Sequence, residues 1–225
     1  MSPLKKEKGL AELLSGASAI TGLMPGEKEI SLFESYRKEI LFWNNKMNLV
    51  SVKSPLDLPV KHFLDSLTAA PYLPRKDGTV LDIGAGAGFP GIPLKICMDS
   101  LKLYLLESQR KKASFLKHVV RNLDLGDVTV VNKRAEDLIG EGSYRESFDT
   151  VISRATLKLP KLVAMGGYFL AAGGVLIAMK GADIAKELRD ALKSCPPSRM
   201  VFLDAHDLSL PETADRRKIV VFKKI

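Results

Sequence analysis

The stretch TVLDIGAGAGFPGIPLKI, Thr79 to Ile96, decides the fold. Val80, Leu81 and Ile83 form a short apolar run that predicts a buried strand. Gly84, Gly86, Gly88 and Gly91 fall within eight residues, and a helix-like apolar pattern follows. Glycines at a strand-to-helix turn let the backbone bend tightly and approach a ligand, while the helix N-terminus presents free N–H groups. The pattern reads as a nucleotide-cofactor loop; a glycine-rich turn without ligand is the plainer alternative.

Two registers compete for the cofactor. Gly84-x-Gly86-x-Gly88, with Asp82 just before it, is the pattern of S-adenosylmethionine (AdoMet) methyltransferases. Gly86-x-Gly88-x-x-Gly91 matches the dinucleotide fingerprint G-x-G-x-x-G. In the dinucleotide register the helix starts among the glycines, which places Pro93 beyond the first turn, where proline is excluded. In the AdoMet register the helix starts near Pro90 or Gly91, and both prolines lie where no backbone donor is lost. AdoMet is favoured, with NAD as the alternative.

Working outward, Leu103-Tyr104-Leu105-Leu106-Glu107 ends a second strand with a carboxylate 21 residues after Gly86. An acid there can accept both ribose hydroxyls of an adenosine cofactor; the bland reading is a strand-end acid near Arg110. Strands are expected at 79–83, 102–107, 128–132, 148–153 and 173–179, with helices at 90–98, 109–123, 157–170 and 183–194. That alternation predicts a parallel sheet with right-handed crossovers. Two last strands, about 199–204 and 217–223, have only a loop between them, so an antiparallel pair closes the sheet, an ending expected of methyltransferases.

Upstream, Pro74 to Gly78 marks a boundary, dividing a helical extension (1–75) from the cofactor domain (76–225). Residues 1–9 are charged and expected to fray, and a small helix is possible from Leu10 to about Ile20. From Glu27 to Met47 an amphipathic helix carries Ile30, Phe33, Tyr36, Ile40 and Trp43 on one face. Another begins after Pro55 and ends before Pro71, with an apolar stripe of Leu56, Val60, Phe63, Leu64 and Leu67. Lys61, His62 and Asp65 fall opposite that stripe, so a solvent-exposed His–Asp pair is expected.

Composition narrows the function. The 225 residues hold one α/β domain and an appendage, at 46% hydrophobic content. No apolar run spans a membrane and no signal-peptide core opens the chain, so a cytoplasmic protein is expected. Cys97 and Cys195 form neither a disulfide framework nor a metal spacing, and no metal is expected. The net charge of +8 points to a polyanionic partner.

The basic residues cluster. Arg110, Lys117 and Arg121 share one helix face, and Arg216 and Arg217 lead a second group near the C-terminus. Either face could be merely solvated; together they favour RNA or DNA over a small acceptor. Ala135 and Glu136 follow the third strand, where an AdoMet fold meets the adenine edge. Arg154 ends the fourth strand and Lys180 the fifth, at the carboxyl rim where ligands bind in open α/β sheets. Arg154 is expected to meet a cofactor carboxylate, an acid side chain or substrate. Cys97 lies in the helix after the glycine loop and reads as core, leaving pyrimidine methylation by a cysteine unsupported.

The combination of HFLDSL (62–67), DIGAGAGFPGIPLKI, LLESQRKKASFL, ISRA and MKG resembles the ribosomal RNA small-subunit methyltransferase G family, also called glucose-inhibited division protein B. The resemblance runs from about Trp43 to the C-terminus. It implies a Rossmann-like class I AdoMet-dependent methyltransferase fold and N7 methylation of one guanine in a conserved loop of 16S ribosomal RNA. It also implies AdoMet contacts at Gly84, Phe89, Ala135, Glu136 and Arg154. The partner expected is 16S rRNA or the small ribosomal subunit, and the enzyme is expected to be a monomer. Substrate-positioning candidates are His62, Asp65, Arg154 and Lys180, which the sequence does not rank. A methyltransferase for another RNA and a non-catalytic RNA-binding assembly factor are the competing readings.

Overall fold

The computed structural model describes residues 9–16 and 18–225. Residues 1–8, which include most of the stretch expected to fray, lie outside that range. Seven strands form one sheet: β1 (Thr79–Ile83), β2 (Lys102–Leu106), β3 (Val128–Val131), β4 (Phe148–Arg154), β5 (Leu170–Gly181), β6 (Met200–Ser209) and β7 (Arg216–Lys224). Their order is β3-β2-β1-β4-β5-β7-β6. The first five pair in parallel, and β7 lies antiparallel to both β5 and β6. The C-terminal pair thus closes the sheet as expected, although β5 starts three residues early and β6 runs past 204.

Helices cover both faces. On one side lie α1 (Leu10–Ser15), followed in the chain by the short α2 (Ser18–Thr21), then α3 (Glu27–Met47), α4 (Asp65–Leu67), α5 (Gly91–Cys97) and α6 (Arg110–Asn122), with α1 and α3 to α6 sharing one core cluster. On the other lie α7 (Ala135–Glu141), α8 (Leu159–Phe169) and α9 (Ala185–Ser194). Side-chain alternation along β5 divides the core. Val175, Ile177 and Met179 join the cluster under the N-terminal helices, whereas Leu176 and Ala178 join the one under α8 and α9. The N-terminal helices share the first cluster with the sheet. Phe33, Tyr36 and Ile40 of α3 are wholly buried, each worth about 1.5–3 kcal/mol.

The pattern predicts no helix after β3, and α7 corrects that. It has only seven residues, with Gly140 among them, too few to show periodicity. Glu136 and Asp137 in its first turn suit the positive end of its dipole.

The segment before α4 is a π-helix, Asp57–Leu64, whose end is marked by the Asp65 N–H reaching the Val60 carbonyl. Pro59 sits near its start, where no intrahelical donor is needed. Its residues are buried on more than one side: Leu58, Val60, Phe63 and Leu64 face the core, and Asp57 and Asp65 are also buried.

Candidate functional site

The glycine loop joins β1 to α5. Gly84, Gly86 and Gly88 have φ of 75°, 61° and 102°, a region that L side chains avoid. Space is short at two of them: a Cβ on Gly84 would lie 2.4 Å from Thr156 and one on Gly88 2.4 Å from Ile92. At Gly86 the nearest atom would be 3.9 Å away, so the loop opens outward there.

Three groups hold this loop. The Gly91 N–H donates to Oδ2 of Asp82 over 2.9 Å, tying the start of α5 to β1. Asp82 is wholly buried, its Oδ1 has no partner, and desolvation pushes its carboxyl up to about 7. It therefore stands behind the loop. Glu107 accepts the Gly86 N–H at 2.9 Å and the Gln109 N–H at 2.7 Å. From the helical extension, the buried Tyr36 hydroxyl donates to the Ala87 carbonyl. Tyr36 sits on the apolar stripe of α3, and nothing in that stripe distinguishes it from a core residue.

Opposite the loop, Arg154 at the end of β4 organises a polar wall. Its Nη1 donates to Oδ2 of Asp65 and to the Lys61 carbonyl, both at 3.0 Å. Its Nη2 lies 2.9 Å from Nδ1 of His62, and its guanidinium sits 4.9 Å from the Phe89 ring centre. Arg217 adds a second cation to Asp65, with Nε at 3.4 Å. An arginine nitrogen can only donate, so Nδ1 of His62 accepts, and the proton of the neutral ring sits on Nε2. Burial, with Arg154 beside it, lowers the His62 pKa to about 4, so the ring is neutral near pH 7.

The expected solvent-exposed His–Asp pair is thus corrected. Asp65 is 3% exposed and bonds two arginines, while His62 stacks on Phe89 at 5.0 Å. The reason is physical: the side of the helix opposite its apolar stripe faces the sheet rim and not water. The π-turn also uses an extra residue, which shifts side chains from their α-helical phase.

Between loop and wall lies an open cavity of about 620 Å³, lined in part by Gly84, Gly86, Phe89, His62, Asp65 and Arg154. Lys53, Lys61, Lys112, Lys180, Arg217 and Lys218 make its lining strongly cationic. Lys180 is held by Glu187 of α9 at 2.8 Å. A second cavity of about 290 Å³ is lined by Ala135, Glu136, Ser108 and Lys133, and shares Gly84 and Thr156 with the first. Thr156, which the sequence reading did not single out, therefore sits at the junction. Arg110, Lys117, Arg121 and Arg216 are exposed and line neither cavity.

A family model described as rRNA small subunit methyltransferase G matches residues 29–220. The chain belongs to that family. A curated ribosomal RNA small subunit methyltransferase G from Syntrophus aciditrophicus is 44% identical over 94% of this chain and 88% of its own length. One from Carboxydothermus hydrogenoformans is 41% identical over 91% and 87%. Among solved structures, M. jannaschii TYW2 in complex with AdoMet matches with a TM-score of 0.55 at 14% identity, over 92% of this chain and 80% of that one. The fold is that of the Rossmann-like class I methyltransferases, and the protein is a methyltransferase. No helix among the described residues is long and apolar enough to cross a membrane. Among those residues no group of three or more His, Cys, Asp or Glu could hold a metal ion.

Proposed function

We propose that this enzyme methylates N7 of one guanine in a conserved loop of 16S ribosomal RNA, using AdoMet. The observation that carries the reading is the open glycine loop, whose Gly84 borders both the cavity of about 290 Å³ and the larger cationic one. AdoMet supplies an electrophilic methyl group on a sulfonium centre.

The residues fit that cofactor. Gly84 and Gly86 allow close approach over the loop, and Asp82 fixes the loop from behind. Glu107 is buried and lines neither cavity, but each carboxylate oxygen takes only one N–H, from Gly86 or Gln109, and so keeps a lone pair for a ribose hydroxyl. Ala135 and Glu136 border the adenine end. Phe89 and Arg154 border the methionine end, where the guanidinium can meet a carboxylate.

The remaining cationic space suits a nucleotide carrying phosphates. Guanine N7 has a lone pair and no proton, so the attack needs no general base. His62 agrees with that requirement: it is neutral, and the Nδ1 lone pair that a base would use is engaged by Arg154. Cys97 supplies no nucleophile, because burial pushes its thiol up to about 12. The chain's contribution is then positioning and a fixed electrostatic environment. In A-form RNA the N7 edge lies in a deep, narrow groove, so a loop guanine is the accessible acceptor.

The test is single-turnover transfer from tritium-labelled AdoMet to small subunits lacking the modification, followed by nucleoside analysis. Label in N7-methylguanine is expected. Binding without transfer would favour a non-catalytic assembly factor, and label in another nucleoside would refute the N7 assignment.

A further inference from the structure

A basic surface beside the cavity is not used by the site described above. Helices α3 and α6 lie side by side and antiparallel. Glu39 meets His118 and Asn122 at 2.9 Å, while Trp43, one turn later in α3, packs on Phe115 and His118. The end of α3 and the start of α6 therefore meet at the cavity, where Lys53 and Lys112 line the wall. Across residues 38–53 and 110–122, eight lysines and arginines stand against one acid, Glu39.

On the outer side of α3, Lys38, Phe42 and Lys46 follow one another at four-residue spacing and all are exposed. Phe42 is 56% exposed, the only aromatic ring among the exposed large hydrophobics of the described residues. Lys46 Nζ lies 4.0 Å from its ring centre, and Trp43 meets its edge at 6.0 Å. Trp43 Nε1 is buried without a hydrogen-bond partner. An apolar partner on this ring would have to desolvate the lysines around it. Single-stranded RNA satisfies both parts, since its phosphates meet lysines and its bases stack on an aromatic ring.

We propose that the RNA flanking the target guanine leaves the cavity along α3 and α6, with one base stacked on Phe42 and its phosphates on Lys38 and Lys46. The inference rests on the RNA methyltransferase reading and adds the path of the substrate strand.

Small subunits lacking the modification are titrated against wild type, Phe42→Ala, Phe42→Trp and Lys38→Gln/Lys46→Gln in single-turnover methylation. Phe42→Ala is expected to raise the half-saturating subunit concentration about tenfold, the scale of one lost base stack. Its maximal rate and AdoMet affinity stay as in wild type, and Phe42→Trp restores binding. The double lysine variant lowers the log–log salt slope by about 1.4, for two single-strand phosphate contacts.

Wild-type half-saturation and slope in a Phe42→Ala/Lys38→Gln/Lys46→Gln variant would overturn the path while leaving the enzyme's activity established. So would a dimer that Phe42→Ala dissociates without changing subunit affinity, because the face would then join two copies. A wild-type protein that transfers no methyl group to subunits would instead defeat the underlying reading, and this inference with it.

Discussion

Arg154, at the end of β4, donates to Asp65, 89 positions earlier, over 3.0 Å, with both side chains largely buried. This contact joins the helical extension to the centre of the sheet. Arg217 of β7 reaches the same carboxylate oxygen, so three separate parts of the chain meet at one charge.

Removing that charge should therefore cost stability as well as activity. Asp65→Ala leaves the largely buried Arg154 without its anion, and Arg217 with only Asp215 at 3.8 Å, a change expected to destabilise by about 3–5 kcal/mol. Urea unfolding of the variant measures it. A loss below about 1 kcal/mol would show that the arginines find other partners and that the network is dispensable.

Two buried groups oppose each other in pH dependence. His62 has a folded pKa of about 4 against about 6.5 unfolded, so the unfolded chain protonates first and stability is lost as pH falls through that window. Asp82 has a folded pKa of about 7 against about 3.9 unfolded. Its contribution is complete below the unfolded value and is lost as pH rises toward 7. Between about pH 4 and 6.5 the two slopes offset one another. Asp82→Asn should leave the His62 slope, and His62→Asn the Asp82 slope, so the urea midpoints of the two variants should diverge across this range. Superimposable profiles would contradict both assignments.

His62 is placed to position Arg154 rather than to move a proton. Asparagine can still accept from Arg154, so His62→Asn should keep single-turnover methylation within about tenfold, below the usual general-base contribution. His62→Ala should lose more, because Nη2 of Arg154 then loses its acceptor while Nη1 keeps Asp65 and the Lys61 carbonyl. A loss of a hundredfold or greater in the asparagine variant, with AdoMet and subunit binding intact, would require a base and overturn the mechanism.

Gly86 tests the cofactor loop. With φ at 61° and open space before it, a valine there would both strain the backbone and project into the groove. Gly86→Val should remain folded by circular dichroism and show no AdoMet binding by calorimetry. Unchanged affinity would show that the cofactor passes elsewhere.

The glycine loop was legible because its glycines and prolines are required by backbone geometry, which local sequence records directly. The same holds for the strand alternation and the closing antiparallel pair. The site's opposite wall was less legible, because it depends on what covers the second side of a helix. A wheel of residues 56–67 shows one apolar stripe but cannot show that Arg154 and Arg217 lie against the other side. Tyr36 is hidden for a related reason: its ring belongs to the core while its hydroxyl serves the Ala87 carbonyl. Thr156 was invisible because its place at the junction of the two cavities follows only from how β4 lies beside β1.

The most direct measurement compares N7-methylguanine along 16S rRNA from cells with and without this protein, by mass spectrometry of defined fragments. Loss of the methyl group at a single loop guanine, restored by wild type and not by Gly86→Val, is the predicted result. An identical methylation pattern in the two strains would contradict the proposed activity.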